Sequence, residues 1–258
     1  MKINKNSRIF SSINPTLGTE HALIPWIDKF LVEHPYAGKY VVNDEEYVTL
    51  SKNRRHTHYH PSGDCLKCQR LLYYERDVTA PPMREEPDAH LQKIFKMGDA
   101  VHAMLQAWFS AWNDLDGFPE CKGNEVRIPD NPYSIGGYID SVIRFPGADT
   151  DTIIELKSIS DYGFKSLSSP KPAHKLQVGC YMMAQELPEA IVLYVDKNTC
   201  DMKEFLVHPI DMQQTLMKWQ QVEEALDKKS VSGLPHSCEM GSKEWERCPA
   251  RKICFRRV

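Results

Sequence analysis

Hydrophobic positions along this chain change period partway through. Up to about residue 112 they recur every three to four residues, the spacing that lays apolar side chains along one helical face. A helix is predicted near residues 20–34, with Pro25 inside its first turns or marking its start. The stretch RRHTHYHPSGD at 54–64 reads as loop, helical spacing returns in CQRLLYYER at 68–76, and TAPPMREEP at 79–87 is a proline-rich break. A longer helix follows from about residue 90 to residue 112, with Ile94, Met97, Val101, Leu105 and Trp108 on its apolar face.

From Asn124 the period drops to two, the alternation of a half-buried strand. EVRI, YSIGGYIDSVIRF and TIIELKSIS are separated by a Pro/Asn turn and a Gly-Ala-Asp turn, which predicts a meander of three strands. HKLQVGCYMMAQEL then reads as a helix, IVLYVD as a strand, KEFLVHPI as its partner and MQQTLMKWQQVEEALDKK as a long amphipathic helix. That order predicts an α/β fold, a mixed sandwich of helices around one central sheet.

With 258 residues, 41% of them hydrophobic, the chain can bury one good core. A net charge of −3 excludes a broadly basic surface that coats nucleic acid, and leaves local basic patches at 52–55 and 251–257. The run IVLYV at 191–195 is far shorter than the ~20 residues of a membrane span, and MKINKNSRIF lacks the apolar core of a signal peptide. The expectation is an intracellular, cytoplasmic protein with no membrane partner. In that compartment eight cysteines point to metal binding or redox chemistry before disulfides.

The chemistry begins in TIIELKSIS. Alternation puts Glu155 and Lys157 on one face of the strand and Leu156 on the other. Upstream, GGYID brings Asp140 to the preceding strand, where Gly136 and Gly137 allow close backbone approach. Two carboxylates and an ammonium can thus surround one point, and carboxylates suit hard Mg²⁺ or Mn²⁺. Singly, each residue also fits a plain role: Glu155 and Lys157 as a solvated pair, His102 as a hydrogen-bonded core histidine, Tyr181 as core packing. Glu125, opening the first strand, is read as structural.

Asp140 followed by Glu155-Leu156-Lys157 resembles the PD-(D/E)XK nuclease signature, with Ile139 where the family name has Pro. GDAVH, ending at His102, is similar to the G-x-x-V-H element of RecB-type nucleases, and QVGCY, from Gln177 to Tyr181, to their Q-x-x-x-Y element. The order of the four elements is that of the family. The resemblance implies a restriction-endonuclease-like core in which His102, Asp140, Glu155 and the Leu156 carbonyl hold one or two Mg²⁺ or Mn²⁺ ions. Lys157 would then assist the attacking water, and Gln177 and Tyr181, four residues apart on one helical face, would hold a phosphate or the substrate strand.

CQRLLYY, carrying Cys68, Arg70, Tyr73 and Tyr74, resembles the C-x-R-x-x-Y-Y segment of the iron–sulfur subset of these nucleases, the CRISPR-adaptation exonucleases and their phage-encoded relatives. The resemblance implies a [4Fe–4S] cluster on Cys68, Cys238, Cys248 and Cys254, although the gap from Cys238 to Cys248 is longer than the family's. Cys65 competes with Cys68, and Cys65, Cys68, Cys248 and Cys254 are an alternative set for tetrahedral Zn²⁺. Cys121, Cys180 and Cys200 are read as small core residues. Arg70, Tyr73, Tyr74, Trp245 and Phe255 are candidates for contact with DNA.

These likenesses imply an N-terminal helical region at 1–88 with the first cluster ligand, a nuclease core at 89–232, and a cysteine-rich segment at 233–258 packing against 60–76. They imply a metal-dependent deoxyribonuclease, specifically an exonuclease on single-stranded DNA. The alternatives are a non-catalytic DNA-binding or assembly module with structural zinc, and a redox sensor, which the missing βαβ setting of its C-x-x-C counts against.

Overall fold

In the computed structural model, which describes residues 22–34, 58–77, 79–80 and 88–255, the change of period becomes a change of layer. Five strands, β1 (Glu120–Arg127), β2 (Tyr138–Arg144), β3 (Thr152–Ile159), β4 (Ala190–Asp196) and β5 (Met202–Val207), form one sheet in sequence order. Only β3 and β4 run parallel. The helices among the described residues are α1 (Ile24–Glu33), α2 (Pro61–Asp64), α3 (Gln69–Arg76), α4 (Ala89–Trp112), α5 (Asp161–Lys165), α6 (Pro172–Gln185), α7 (Gln213–Asp227), α8 (Lys243–Arg247) and α9 (Arg251–Cys254). The parallel pair requires a crossover, and the chain between β3 and β4, which includes α5 and α6, supplies it.

β4 is buried along its whole length, as a strand covered on both faces must be. On one side α1 and α4 bring Ile27, Phe30, Leu105 and Phe109 against Ile154, Leu156 and Leu193. On the other, α3, α6 and α7 bring Leu72, Val178 and Trp219 into a core with Ile153 and Val192. No described helix is long and apolar enough to cross a membrane.

Several expectations shift. Ile94 and Met97 are 41% and 54% exposed, so the predicted apolar face of α4 is covered only in its C-terminal half. Length explains this, since a helix of 24 residues spans roughly 36 Å and overruns strands of seven or eight residues. The predicted loop at 54–64 is ordered where it is described: Tyr59 bridges to Ile135, and Pro61 starts α2. The strand predicted from Tyr133 begins only at Tyr138, whereas β1 starts earlier than expected, at Glu120, with a bulge between Cys121 and Gly123. Cys200 is exposed at the β4–β5 turn, with φ of 62°, and is no core residue. The basic patch at 52–55 and most of the break at 79–87 lie outside the described residues.

A buried carboxylate holds α1 to the sheet. Glu204 Oε2 accepts from the backbone N–H groups of Leu23 at 2.7 Å and Ile24 at 3.1 Å, filling the helix's unsatisfied N-terminal donors. Burial outweighs those two bonds and lifts the Glu204 pKa to about 7. A carboxyl raised on folding stabilises most when protonated, and that contribution disappears as pH rises through its folded value. Wild-type stability is therefore expected to fall by on the order of 3 kcal/mol from about pH 5 to about pH 8 through this group, and Glu204→Gln to flatten that slope. Thermal melts of both proteins across that range check it; parallel slopes would refute it.

Candidate metal centre

The ladder between β2 and β3 ends at Ser141 opposite Ile154. One residue further on each strand stand Asp140 and Glu155, so the two acids face each other where pairing has stopped. The Leu156 N–H, left without a ladder partner on that side, donates instead to Asp140 Oδ2 at 2.6 Å. On the other edge of β2 the pairs Asn124–Ser141 and Val126–Ile139 bracket Glu125 opposite Asp140. Register thus sets three carboxylates, Glu125, Asp140 and Glu155, in a row across three strands.

His102 reaches this row from α4. The helix passes close to β3 at Gly98, where an added Cβ would lie 3.5 Å from Ser158 Oγ, and one turn later His102 Nδ1 stands 3.5 Å from Asp140 Oδ1. Four residues on, Gln106 Nε2 donates to the Asp140 backbone carbonyl at 2.9 Å and to Glu125 Oε1 at 2.8 Å. Ligand atoms of His102, Glu125 and Asp140 all lie within 4.8 Å of one another, the one such donor group among the described residues. That group has Glu125 where the expected trio of His102, Asp140 and Glu155 has Glu155, although His102 and Glu155 stay close enough for their charges to interact. Glu155 lies on the far side of Asp140, where other groups hold its Oε1.

Those groups are Lys157 Nζ, in direct contact with Glu155 Oε1, and Gln177 Nε2, which donates to the same oxygen at 2.7 Å. Glu155 Oε2 is buried and has no hydrogen-bond partner. Burial first, then the neighbouring Asp140 charge, raise the Glu155 pKa against the opposing pull of Lys157. Burial opposes the charged form of His102, but the hydrogen bond and charge of Asp140 prevail and raise its pKa. Leu156 points away into the α4-side core, as strand alternation requires.

Gln177 and Tyr181 come together, though not on a surface. Gln177 Nε2 also donates to Tyr181 Oη at 3.1 Å, and the two residues are only 4% and 3% exposed. The role expected of them, holding a phosphate or a strand, is displaced by burial: they orient Glu155. Arg70 and Tyr73 are corrected in the same way. Arg70 is buried, donating to the carbonyls of Leu234 at 2.8 Å and Cys254 at 3.4 Å, and Tyr73 is buried edge-on to half-buried Tyr74. Arg70 ties the C-terminal segment to α3. Trp245 and Phe255 are half-buried, with Phe255 against the His236 ring at 4.6 Å.

The cysteines divide. Cys65 Sγ lies 3.7 Å from Cys180 Sγ in the core, turned toward α6. Cys68 caps α3, its Sγ accepting from the Leu71 N–H at 3.4 Å. Burial raises the pKa of Cys238, and the Cys248 and Cys68 thiols add to it; burial likewise raises that of Cys254 against Arg70, with Cys68 and Cys248 contributing. Cys68, Cys238, Cys248 and Cys254 are thus electrostatic neighbours. No three of them fall within 4.8 Å of one another, wider than a tetrahedral ion with bonds of about 2.3 Å draws its thiolates.

Sequence reasoning missed Glu125 and Gln106. Gln106 carried a signal, one turn after His102 on the same helical face. Glu125 carried none beyond its strand, because its place opposite Asp140 depends on the β1 bulge.

No protein-family model matches the sequence, and no curated protein does. Among solved structures the chain is similar to SSO0001, at 17% identity over 90% of this chain and 95% of that one, with a TM-score of 0.47. It is similar to the alkaline exonuclease LHK-Exo of Laribacter hongkongensis at 16% identity over 68% and 94%, TM-score 0.44. A phage-related exonuclease of Haemophilus somnus 129PT matches at 13% over 62% and 81%, TM-score 0.39.

Proposed function

We propose that this chain is a Mg²⁺- or Mn²⁺-dependent deoxyribonuclease, an exonuclease that hydrolyses phosphodiester bonds at single-stranded DNA ends. The observation that carries the reading is Glu155 Oε2, a buried carboxylate oxygen without a partner, opposite Asp140 and beside Lys157. Lys157 and Gln177 both engage Oε1, and a buried polar atom left without a partner is costly enough that the open Oε2 calls for a further ligand such as a cation. A DNA-binding module or a redox protein has no use for that arrangement, which argues against both alternatives. The preference for single strands follows from the resemblance of Cys68-Gln69-Arg70 through Tyr74 to the iron–sulfur exonucleases.

Asp140, Glu155 and the Leu156 carbonyl would hold the ion, with His102 beside them. Such an ion supplies charge neutralisation at a phosphate and lowers the pKa of water. The protein's own residues do the rest. Lys157, partly exposed, orients the attacking water and stabilises negative charge as the new P–O bond forms and the leaving oxygen departs on the opposite side. Gln177 fixes the Glu155 carboxylate, and Tyr181 fixes Gln177. Cys68, Cys238, Cys248 and Cys254 would hold a [4Fe–4S] cluster that joins the chain's two terminal segments; the engagement of Cys65 with Cys180 disfavours the alternative zinc set.

The test is digestion of end-labelled single-stranded oligonucleotide. Progressive loss of nucleotides with Mg²⁺ or Mn²⁺, abolished by EDTA and by Asp140→Asn, is expected. Metal-independent degradation, or none with either ion, counts against the reading. The same preparation, purified anaerobically, should be brown and contain iron and sulfide; a colourless, zinc-containing sample would return the cysteine site to zinc.

A further inference from the structure

We infer that His174 holds the DNA strand: its Nε2–H donates to the phosphate next to the one at the metal centre. The inference rests on the nuclease reading above and adds to it a residue that no motif marks. His174 lies on α6 three residues before Gln177, on the helical face that Gln177 and Tyr181 turn to the sheet. Facing it on β4 is Tyr194, the register partner of Lys157 on β3, so Tyr194 and Lys157 stand side by side on one face of the sheet.

The hydroxyl of Tyr194 sets the state of the imidazole. Its oxygen accepts from the Lys171 N–H at 3.0 Å and lies 2.7 Å from His174 Nδ1. Burial raises the Tyr194 pKa to about 12, so the phenol keeps its proton, and among the described residues His174 Nδ1 is the one acceptor placed to take it. Nδ1 is therefore the bare nitrogen, and the ring's proton sits on Nε2. His174 is half-buried, and its Nε2 has no partner among the described residues. Satisfying Tyr194 needs only Nδ1. Burial first, then the charges of Lys157 and Lys171, lower the His174 pKa to about 4 and keep the ring neutral. The result is an uncharged donor standing in a positive field, an arrangement that attracts an anion.

Position decides which phosphate it meets. Lys157 contacts Glu155 and serves the phosphate under attack. Gln177 holds the same Glu155, and His174 stands three residues, roughly 4.5 Å along the helix, from Gln177, level with Tyr194 and Lys157. Its donor thus lies on the side of Glu155 away from Asp140, at the next phosphate along the strand.

The test measures binding of a fluorescent single-stranded oligonucleotide to the intact protein by anisotropy in calcium, and its cleavage in magnesium. The oligonucleotide is used unmodified and with one methylphosphonate, an uncharged linkage, at each position in turn. His174→Ala should weaken binding about 10- to 100-fold, the worth of a hydrogen bond to a charged group. One methylphosphonate position should weaken the wild type by a similar factor and leave His174→Ala unaffected, while the other positions penalise both alike. His174→Asn keeps an acceptor beside Tyr194 and has nothing in place of Nε2, so it should match His174→Ala. Wild-type affinity in His174→Asn would reduce the residue to a partner for Tyr194 and overturn the inference, as would penalties that His174→Ala leaves unchanged at every position. A wild type that shows the His174-dependent position but never cleaves would remove the nuclease reading and keep the contact; one that does not bind the strand would remove both.

Discussion

Lys157→Ala is expected to cut DNA cleavage by about 10²- to 10⁴-fold, the range that one positioned proton-handling group contributes, while manganese still binds. It should also make the metal-free protein easier to melt. Lys157 contacts Glu155 Oε1, and the two side chains are 22% and 2% exposed. Without the ammonium, Glu155 keeps only the Gln177 amide against both its own burial and the Asp140 charge. Removing one partner of a buried pair costs about 3–5 kcal/mol, and the partial exposure of Lys157 puts this case at the lower end. Manganese should therefore raise the melting temperature of Lys157→Ala more than that of the wild type, because the cation replaces the missing positive charge. Glu155→Gln should behave oppositely: equally inactive, but stable without metal and stabilised by it less than the wild type is. Activity assays and melts with and without manganese on the three proteins separate these outcomes. Wild-type cleavage by Lys157→Ala would take the ammonium out of the chemistry.

What could be read in the sequence was whatever depended on local period. Alternation in TIIELKSIS puts Glu155 and Lys157 on one face, and the structure holds them in contact there. Helical spacing likewise puts Gln177 one turn from Tyr181, at hydrogen-bonding distance. Period says nothing about how far a neighbouring layer extends, so it places Ile94 and Met97 on a face that the sheet does not reach. Nor does residue type reveal whether a side chain turns in or out. Arg70 and Tyr73 have the chemistry of DNA contacts and are spent on anchoring the C-terminal segment and packing the core. Cys65 and Cys68 stand three residues apart, yet one meets α6 in the core and the other caps α3, a division set by tertiary packing. Glu125 was hidden for a related reason: its partner across the sheet is fixed by a bulge and by the long turn before β2.

That turn is held from behind, and Arg76→Ala should show how firmly. Arg76 is 6% exposed; its Nη1 donates to the His58 carbonyl at 3.1 Å, its Nη2 to Glu223 Oε1 at 2.6 Å, and its guanidinium lies 4.2 Å over the Tyr59 ring. Tyr59 in turn stacks on Trp219 at 4.4 Å and donates to the Trp219 carbonyl and to Glu223. Its backbone pairs with Ser134 and Gly136 across the turn, and the His58 side chain crosses Gly136 so closely that an added Cβ would sit 2.7 Å away. One arginine therefore clamps the segment that supports the approach to Asp140. Glu223 is 40% exposed, so the ion pair itself counts for little after solvent screening. The loss comes from the emptied space above Tyr59 and the lost hydrogen bond to the His58 carbonyl. Together these should cost about 3 kcal/mol and lower the melting temperature by roughly 10 °C. Because the strain falls on the chain leading to Asp140, cleavage should decline at temperatures well below that transition. Arg76→Lys, which keeps the charge and loses the planar fork, should fall between the two. Calorimetry and activity measured on the same samples test the clamp, and an Arg76→Ala protein melting with the wild type would show that the turn before Asp140 stands without it.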